Sequence, residues 1–225
     1  MTITIEDPSP GIRVLTIDRP GKRNALDVDT YRQLAVAIES VDQDPSVRAV
    51  VITGRGAMFT ADTELVDFRD GPGFQNAVTL LRALVNSDTP IIAAVEGIVV
   101  GVGVTMLLHC DFAFAGRSTV FSLPFVELGP TAEGGAGLLS QVAASEKAAE
   151  MLLLGDKFGA GRAERAGLLS RVVEDGHALH AAIETAEELR ELSAESVTIT
   201  KRLVRRGRGE VLEAIDFSPG PRRHR

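Results

Sequence analysis

The sequence predicts an α/β protein with a helical C-terminal region. Two patterns carry this. Short β-branched runs alternate with amphipathic helical runs as far as residue 121, and from residue 177 onward only helical periodicity remains. A third observation bounds the size: 225 residues with 44% hydrophobic side chains suffice for one domain with a sizeable core.

In chain order, residues 2–5 and 12–17 read as strands around a turn at 8–11, and 18–22 as a second turn. Asp27 stands where it can cap a helix running to about Val41, with Leu34, Ile38 and Val41 on one face. Residues 47–53 form a strand that Gly54 ends. Residues 56–73 are loop-rich, with a helical turn near 65–68, and 74–85 fit an amphipathic helix. Residues 91–95 are a buried strand, and 97–103 a Gly-rich turn that leads into a helix over 104–109. Short strands follow at 112–115 and 120–121. A helical run covers 137–145, and Ser145 caps another helix to 154. Residues 160–166 are helical, 168–173 a strand, and 177–192 and 194–206 helices. The chain divides into a core over 1–192 and a helical segment with a basic tail over 193–225.

Charge and composition exclude several function classes. The net charge of −7 argues against a general nucleic-acid binder. The basic residues cluster late, at Lys201, Arg202, Arg205, Arg206, Arg208, Arg222, Arg223 and Arg225, where solvation is the default reading and contact with a phosphate or acidic partner the alternative. Cys110 is the one cysteine, so no internal disulfide forms, and it reads as core. His109 has no second His or Cys at ligand spacing, which predicts no metal. The opening MTITIEDPSP is too acidic for a signal peptide, and the apolar stretch 90–108 carries Glu96 and three glycines, as a strand, turn and helix do and a membrane span does not. A cytoplasmic location follows as the expectation.

The chemistry-bearing stretch is TVFSLPFVELGPTAEGG, residues 119–135. Phe121, Leu123, Phe125 and Leu128 make an apolar approach to Glu133, which stands at a loop-to-helix junction. An apolar wall raises a carboxylate pKa and a helix N-terminus lowers it, so Glu133 reads either as a base or as a solvated first-turn glutamate. Gly97, Gly101 and Gly103 do not make a dinucleotide fingerprint, because Met106 stands where the third glycine is required. A Gly-rich strand-to-helix turn still exposes backbone N–H groups, and residues 57–65 (AMFTADTEL) form a second such turn. Two N–H groups together make an oxyanion hole.

At these residues the chain resembles the crotonase superfamily, the enoyl-CoA hydratases and isomerases. DRPGKRNALD matches its opening motif, and VVITGRGAMFTADTEL its first oxyanion strand and loop. PIIAAVEGIVVGVGVTMLLHCDFAFA resembles the second oxyanion loop, helix and strand, and LLLGDKFGAGRAERAGLLSRVV the next helix–turn–strand block. The resemblance implies a spiral of ββα repeats with a helical, shortened C-terminal region. It implies acyl-CoA thioester binding, with an enolate held by the backbone N–H groups of Thr63 and Val102. Coenzyme A is then part of the substrate and no separate cofactor is expected. Candidate acyl-CoA contacts are Lys22, Arg23, Ala25, Ala61 and Phe125.

The hydratases of this family carry two glutamates, at positions occupied here by Thr105 and Phe125. The run LPFVELGPTAEGG instead resembles the peroxisomal-type Δ3,Δ2-enoyl-CoA isomerases, which have one glutamate where Glu133 stands; GVGVTMLL and ELVDF match the same branch. The resemblance therefore implies an isomerase of fatty-acid metabolism with Glu133 as base. The alternatives are a non-catalytic acyl-CoA binding protein on the same fold and a hydratase-like enzyme with different enolate chemistry. It also implies a homotrimer or dimer of trimers; the apolar stripe Ile183, Ala186 and Leu189 on a late helix needs cover from the core or from a neighbour.

Overall fold

The computed structural model describes residues 2–61, 72–128, 139, 143 and 145–205. β1 (Ile3–Ser9) and β2 (Ile12–Ile17) pair antiparallel. β1 runs further than the sequence pattern indicates: it is an edge strand with residues 5–8 exposed, so its second half lacks the alternation that marks a buried face. β2, β3 (Ala49–Gly54), β4 (Ile91–Val95), β6 (Phe112–Gly116) and β9 (Arg171–Val173) continue the sheet in parallel, in the order β1-β2-β3-β4-β6-β9. β4, IIAAV, is buried on both faces, as a central parallel strand between two helix layers must be.

A second sheet holds β5 (Ile98–Val100), β7 (Val120–Ser122) and β8 (Phe158–Gly159). β5 corrects the reading of residues 97–103 as a turn: three extended residues pair in parallel with β7 before the helix starts. Two turns of the chain thus lay one strand in the large sheet, one in the small sheet, and then a helix. β4, β5 and α3 (Val102–His109) make one such unit; β6, β7 and α4 (Phe125–Leu128) make the next. Thr60, bridged in parallel to Val99, supplies the short-strand step between β3 and α2 (Pro72–Asn86). This is the ββα spiral.

One face of the large sheet packs Leu15, Val50, Ile52 and Ala93 against α2, α3 and α1 (Val28–Val41). The Asp27 cap is formed as expected: its carboxylate accepts the Thr30 N–H at 2.8 Å. The opposite face packs Val14, Val51, Ala94 and Phe114 against α7 (Ala178–Glu191). Ala186 is fully buried there, with Ile183 and Leu189 beside it, so the chain's own sheet covers that stripe. α5 (Ser145–Ala149) begins at Ser145 rather than after it and passes into a π-helical turn, Glu150–Leu154. α6 (Ala160–Arg165) connects to β9.

α8 (Ala194–Val204) is capped by Ser193, whose hydroxyl accepts the Ser196 N–H at 3.3 Å. Its basic residues are not the solvated set that composition suggests. Lys201 and Arg205 are 7% and 8% exposed, and both pair with Asp111, at 2.9 Å each. Arg202 forms an ion pair with Asp88 at the surface, which holds the Asp88 carboxyl below its ordinary pKa through that hydrogen bond.

Candidate active site

The first wall of the site is the turn after β2. Pro20–Lys22 forms one 3-10 turn, and Arg23 and Asn24 follow in the left-handed region at φ 51° and 56°. Asn is among the few residues that adopt this conformation readily. Its side chain explains why it is there. Asn24 is 1% exposed; its Oδ1 accepts the Arg19 N–H at 2.9 Å, and its Nδ2 donates to the carbonyls of Arg55 at 3.0 Å and Met58 at 2.7 Å. One buried amide therefore joins the 19–25 turn to the loop that follows β3. Arg19 adds a second tie, with an ion pair to Asp27 at 2.7 Å and a hydrogen bond to the Ala25 carbonyl.

The loop itself returns the connection: the Ala61 N–H donates to the Arg23 carbonyl at 3.1 Å, and the Ala25 N–H to the Lys22 carbonyl at 3.0 Å. The structure thus brings Lys22, Arg23, Ala25 and Ala61 to one place, with the Lys22 and Arg23 side chains exposed. Asn24 is the residue sequence reasoning missed. Its available signal was an Asn inside a charged turn, the residue type suited to φ > 0.

The second wall is the β5–α3 junction. Gly101 caps α3 at φ 56° and ψ −118°, a conformation that excludes a side chain. The Val104 and Thr105 N–H groups bond back to the Gly101 carbonyl, at 3.0 and 3.2 Å. The first N–H groups of a helix lack intrahelical acceptors, and among the described residues those of Val102 and Gly103 have none. Val102 is 4% exposed, so this donor pair sits at a dry helix N-terminus with the positive end of the helix dipole behind it. The arrangement suits an oxyanion.

The two walls interlock. The Phe59 N–H donates to the Glu96 carbonyl at 2.8 Å, and Thr60 packs against Val99 and Gly103. A Cβ on Gly103 would fall inside the radius of the Thr60 methyl and stand 3.1 Å from Val99 Cγ1.

The acid–base inventory is sparse on the described side. Thr105 is 2% exposed and its hydroxyl lies 3.4 Å from the Gly101 carbonyl of its own helix. Phe125, 8% exposed, joins the main core from the start of α4. Neither side chain is an acid or base near neutral pH. Glu133 and Thr63, and the helical turn expected near 65–68, lie outside the described residues.

A cavity of about 690 Å³ opens behind the first loop, lined by Thr53 to Ala57, by Glu96 and Gly97, and by Leu179 and Ile183 of α7. It touches none of the candidate site residues. Among the described residues no group of three His, Cys, Asp or Glu stands ready to hold a metal ion, and no helix is long and apolar enough to cross a membrane.

Residues 7–215 match the family model described as enoyl-CoA hydratase/isomerase. The chain is 36% identical over 200 residues to the mevalonyl-coenzyme A hydratase sidH of Aspergillus fumigatus, covering 86% of this chain and 74% of that one. It is 30% identical over 227 residues to human enoyl-CoA delta isomerase 2, covering 96% of this chain and 57% of that one. Among solved structures, the enoyl-CoA hydratase/isomerase of Pseudoalteromonas atlantica superimposes with a TM-score of 0.90 at 34% identity, covering 96% of this chain and 88% of that one. Pseudomonas aeruginosa OdaA does so with a TM-score of 0.88 at 36% identity, covering 95% and 89%.

Proposed function

We propose, since this chain belongs to the enoyl-CoA hydratase/isomerase family, that it shifts the double bond of a 3-enoyl-CoA thioester to the 2-position. The observation that carries this reading is the content of the two positions where hydratases of the family hold acids. Thr105 is buried against its own helix and Phe125 is a core phenyl group. Adding water across a double bond requires activation of the water and protonation of carbon, and neither side chain does either. Moving a double bond requires less. One base removes a proton from C2, the thioester oxygen takes up the negative charge of the dienolate, and the same proton returns to C4. The charge is held by two backbone N–H groups, those of Val102 and Thr63, and Glu133 is the base.

Lys22 and Arg23 take the CoA phosphates; their exposure on the turn that also carries Ala25 and touches Ala61 supports this. The same proposal takes the assembly as a homotrimer or dimer of trimers. Ile199, Leu203 and Val204 support it, since they leave apolar surface exposed on α8. The setting is cytoplasmic fatty-acid metabolism.

The test is a panel of CoA thioesters read by mass spectrometry, with wild type beside Glu133→Gln. The expected result is isomerisation of 3-enoyl-CoA, lowered in kcat by about two orders of magnitude or more in the variant. Hydration faster than isomerisation overturns the reading, and binding without any turnover makes the chain an acyl-CoA binding protein instead.

A further inference from the structure

Arg205 lies at the end of α8, far in sequence from every residue of the site, and is nearly fully buried. Its guanidinium meets the C-terminal ends of two helices at once. Nη1 donates to the carbonyls of Leu84 at 2.8 Å and Val85 at 3.1 Å, in the last turn of α2. Nη2 donates to the carbonyl of His109, the last residue of α3, at 2.7 Å. The terminal carbonyls of a helix have no intrahelical donors, and a cation there is favoured by the helix dipole. A planar fork of donors can serve both ends together; a lysine, with one point charge, cannot hold the same spread of acceptors.

The fork is itself held. Asp111 Oδ1 accepts from Arg205 Nη2 at 2.9 Å, while Oδ2 accepts the Ile91 N–H at 2.8 Å and pairs with Lys201 at 2.9 Å. Lys201 also donates to the Thr89 carbonyl. Arg205 is therefore fixed to the start of β4 as well as to α2 and α3.

These two helices are not an arbitrary pair. α3 begins at Val102, the buried donor of the second wall. α2 packs directly against α3 in the main core. We infer that Arg205 is a positioning residue for the oxyanion hole: by tying the far end of α3 to α2 and to the start of β4 through one rigid group, it sets where the Val102 N–H stands. This rests on the proposed enolate chemistry. α3 is only eight residues long, so a shift at its C-terminal end is carried to its first N–H with little loss.

The experiment uses Arg205→Met and Arg205→Lys in the full chain, with Arg202→Ala as control, since Arg202 pairs with Asp88 on the exposed side of the same helix. Three readouts separate positioning from simple structural support. The first is the ultraviolet band of the enolate formed when a 3-ketoacyl-CoA binds. The second is affinity for an S-alkyl-CoA thioether, which has no carbonyl oxygen to place. The third is the division of any loss between kcat and KM, taken on protein shown by circular dichroism to be folded.

The expected result is loss of the enolate band and a fall in kcat of about 10-fold to 100-fold in both Arg205 variants. Thioether affinity and KM should stay within about twofold, and Arg202→Ala should match wild type. Folded variants that keep both band and kcat overturn the inference, as does a parallel loss of thioether affinity. Should Arg205→Met not fold, Arg205→Lys decides alone. A wild-type protein that binds the thioether but gives neither band nor turnover shows that the oxyanion reading itself has failed, and the positioning role with it.

Discussion

Gly103 and Thr60 meet so closely that no side chain fits between them: the Thr60 methyl occupies the space a Cβ on Gly103 would need. Gly103 is the second residue of α3 and Thr60 is fully buried on the neighbouring loop. Gly103→Ala must push α3 away from that loop. The expected cost is about 1–3 kcal/mol, the scale of overpacking. Because the shift occurs beside Val102, turnover should fall by more than stability alone explains, about 10-fold or more. Urea unfolding and kcat measured on the same preparation check both.

Asn24 offers a graded series. Asn24→Gly keeps the positive φ and loses the three side-chain bonds; Asn24→Asp keeps the shape but replaces two donated hydrogens with negative oxygen facing the Arg55 and Met58 carbonyls. Both should destabilise, Gly by about 2–4 kcal/mol from stranded buried partners and Asp by more. The order Asp worse than Gly is the discriminating outcome in thermal unfolding. The reverse order would mean that the bond accepted from the Arg19 N–H, which Asp keeps and Gly loses, outweighs the two donated to Arg55 and Met58.

Lys22 and Arg23 are exposed in the turn that carries Ala25. Replacing both with Ala should weaken acyl-CoA binding at low salt by about fivefold to tenfold, with the difference shrinking as ionic strength rises. Binding of the matching acyl-pantetheine, which lacks the nucleotide phosphates, should not change. Titration calorimetry with the two ligands separates a phosphate contact from a general effect on the turn.

Burial pushes the Lys201 pKa down to about 8 against the opposing pull of Asp111, with Arg205 adding to the depression and Asp42 opposing it. Below about pH 8 both folded and unfolded chains hold this proton. Between about 8 and 10.5, the unfolded value, the unfolded chain keeps it and the folded chain has released it, so stability rises with pH through this group. Lys201→Met has no such term. The stability of wild type relative to Lys201→Met should therefore increase from about pH 7 to about pH 10, read by urea unfolding. A flat difference would show that Lys201 titrates near its ordinary value and is better solvated than its packing indicates.

Local sequence determined much of this molecule because much of it rests on short-range chemistry. Asp27 with the Leu34, Ile38 and Val41 stripe specifies α1, and the unbroken apolar run of β4 specifies a central strand. The spacing of the Gly-rich turn specifies a helix N-terminus. The assignments of Glu133 and Thr63 rest on sequence alone, since both lie outside the described residues.

What only the tertiary structure decided has one physical cause: the partner is distant in the chain. β5 is three residues long, too short for any period, and exists because β7 and Thr60 pair with it. Asn24 is one polar residue in a turn until the carbonyls of Arg55 and Met58 close over it. Lys201 and Arg205 carry the pattern of a solvated basic helix face. They are buried because Asp111 and the open carbonyl ends of α2 and α3 supply, from elsewhere in the fold, the acceptors a cation needs to leave water.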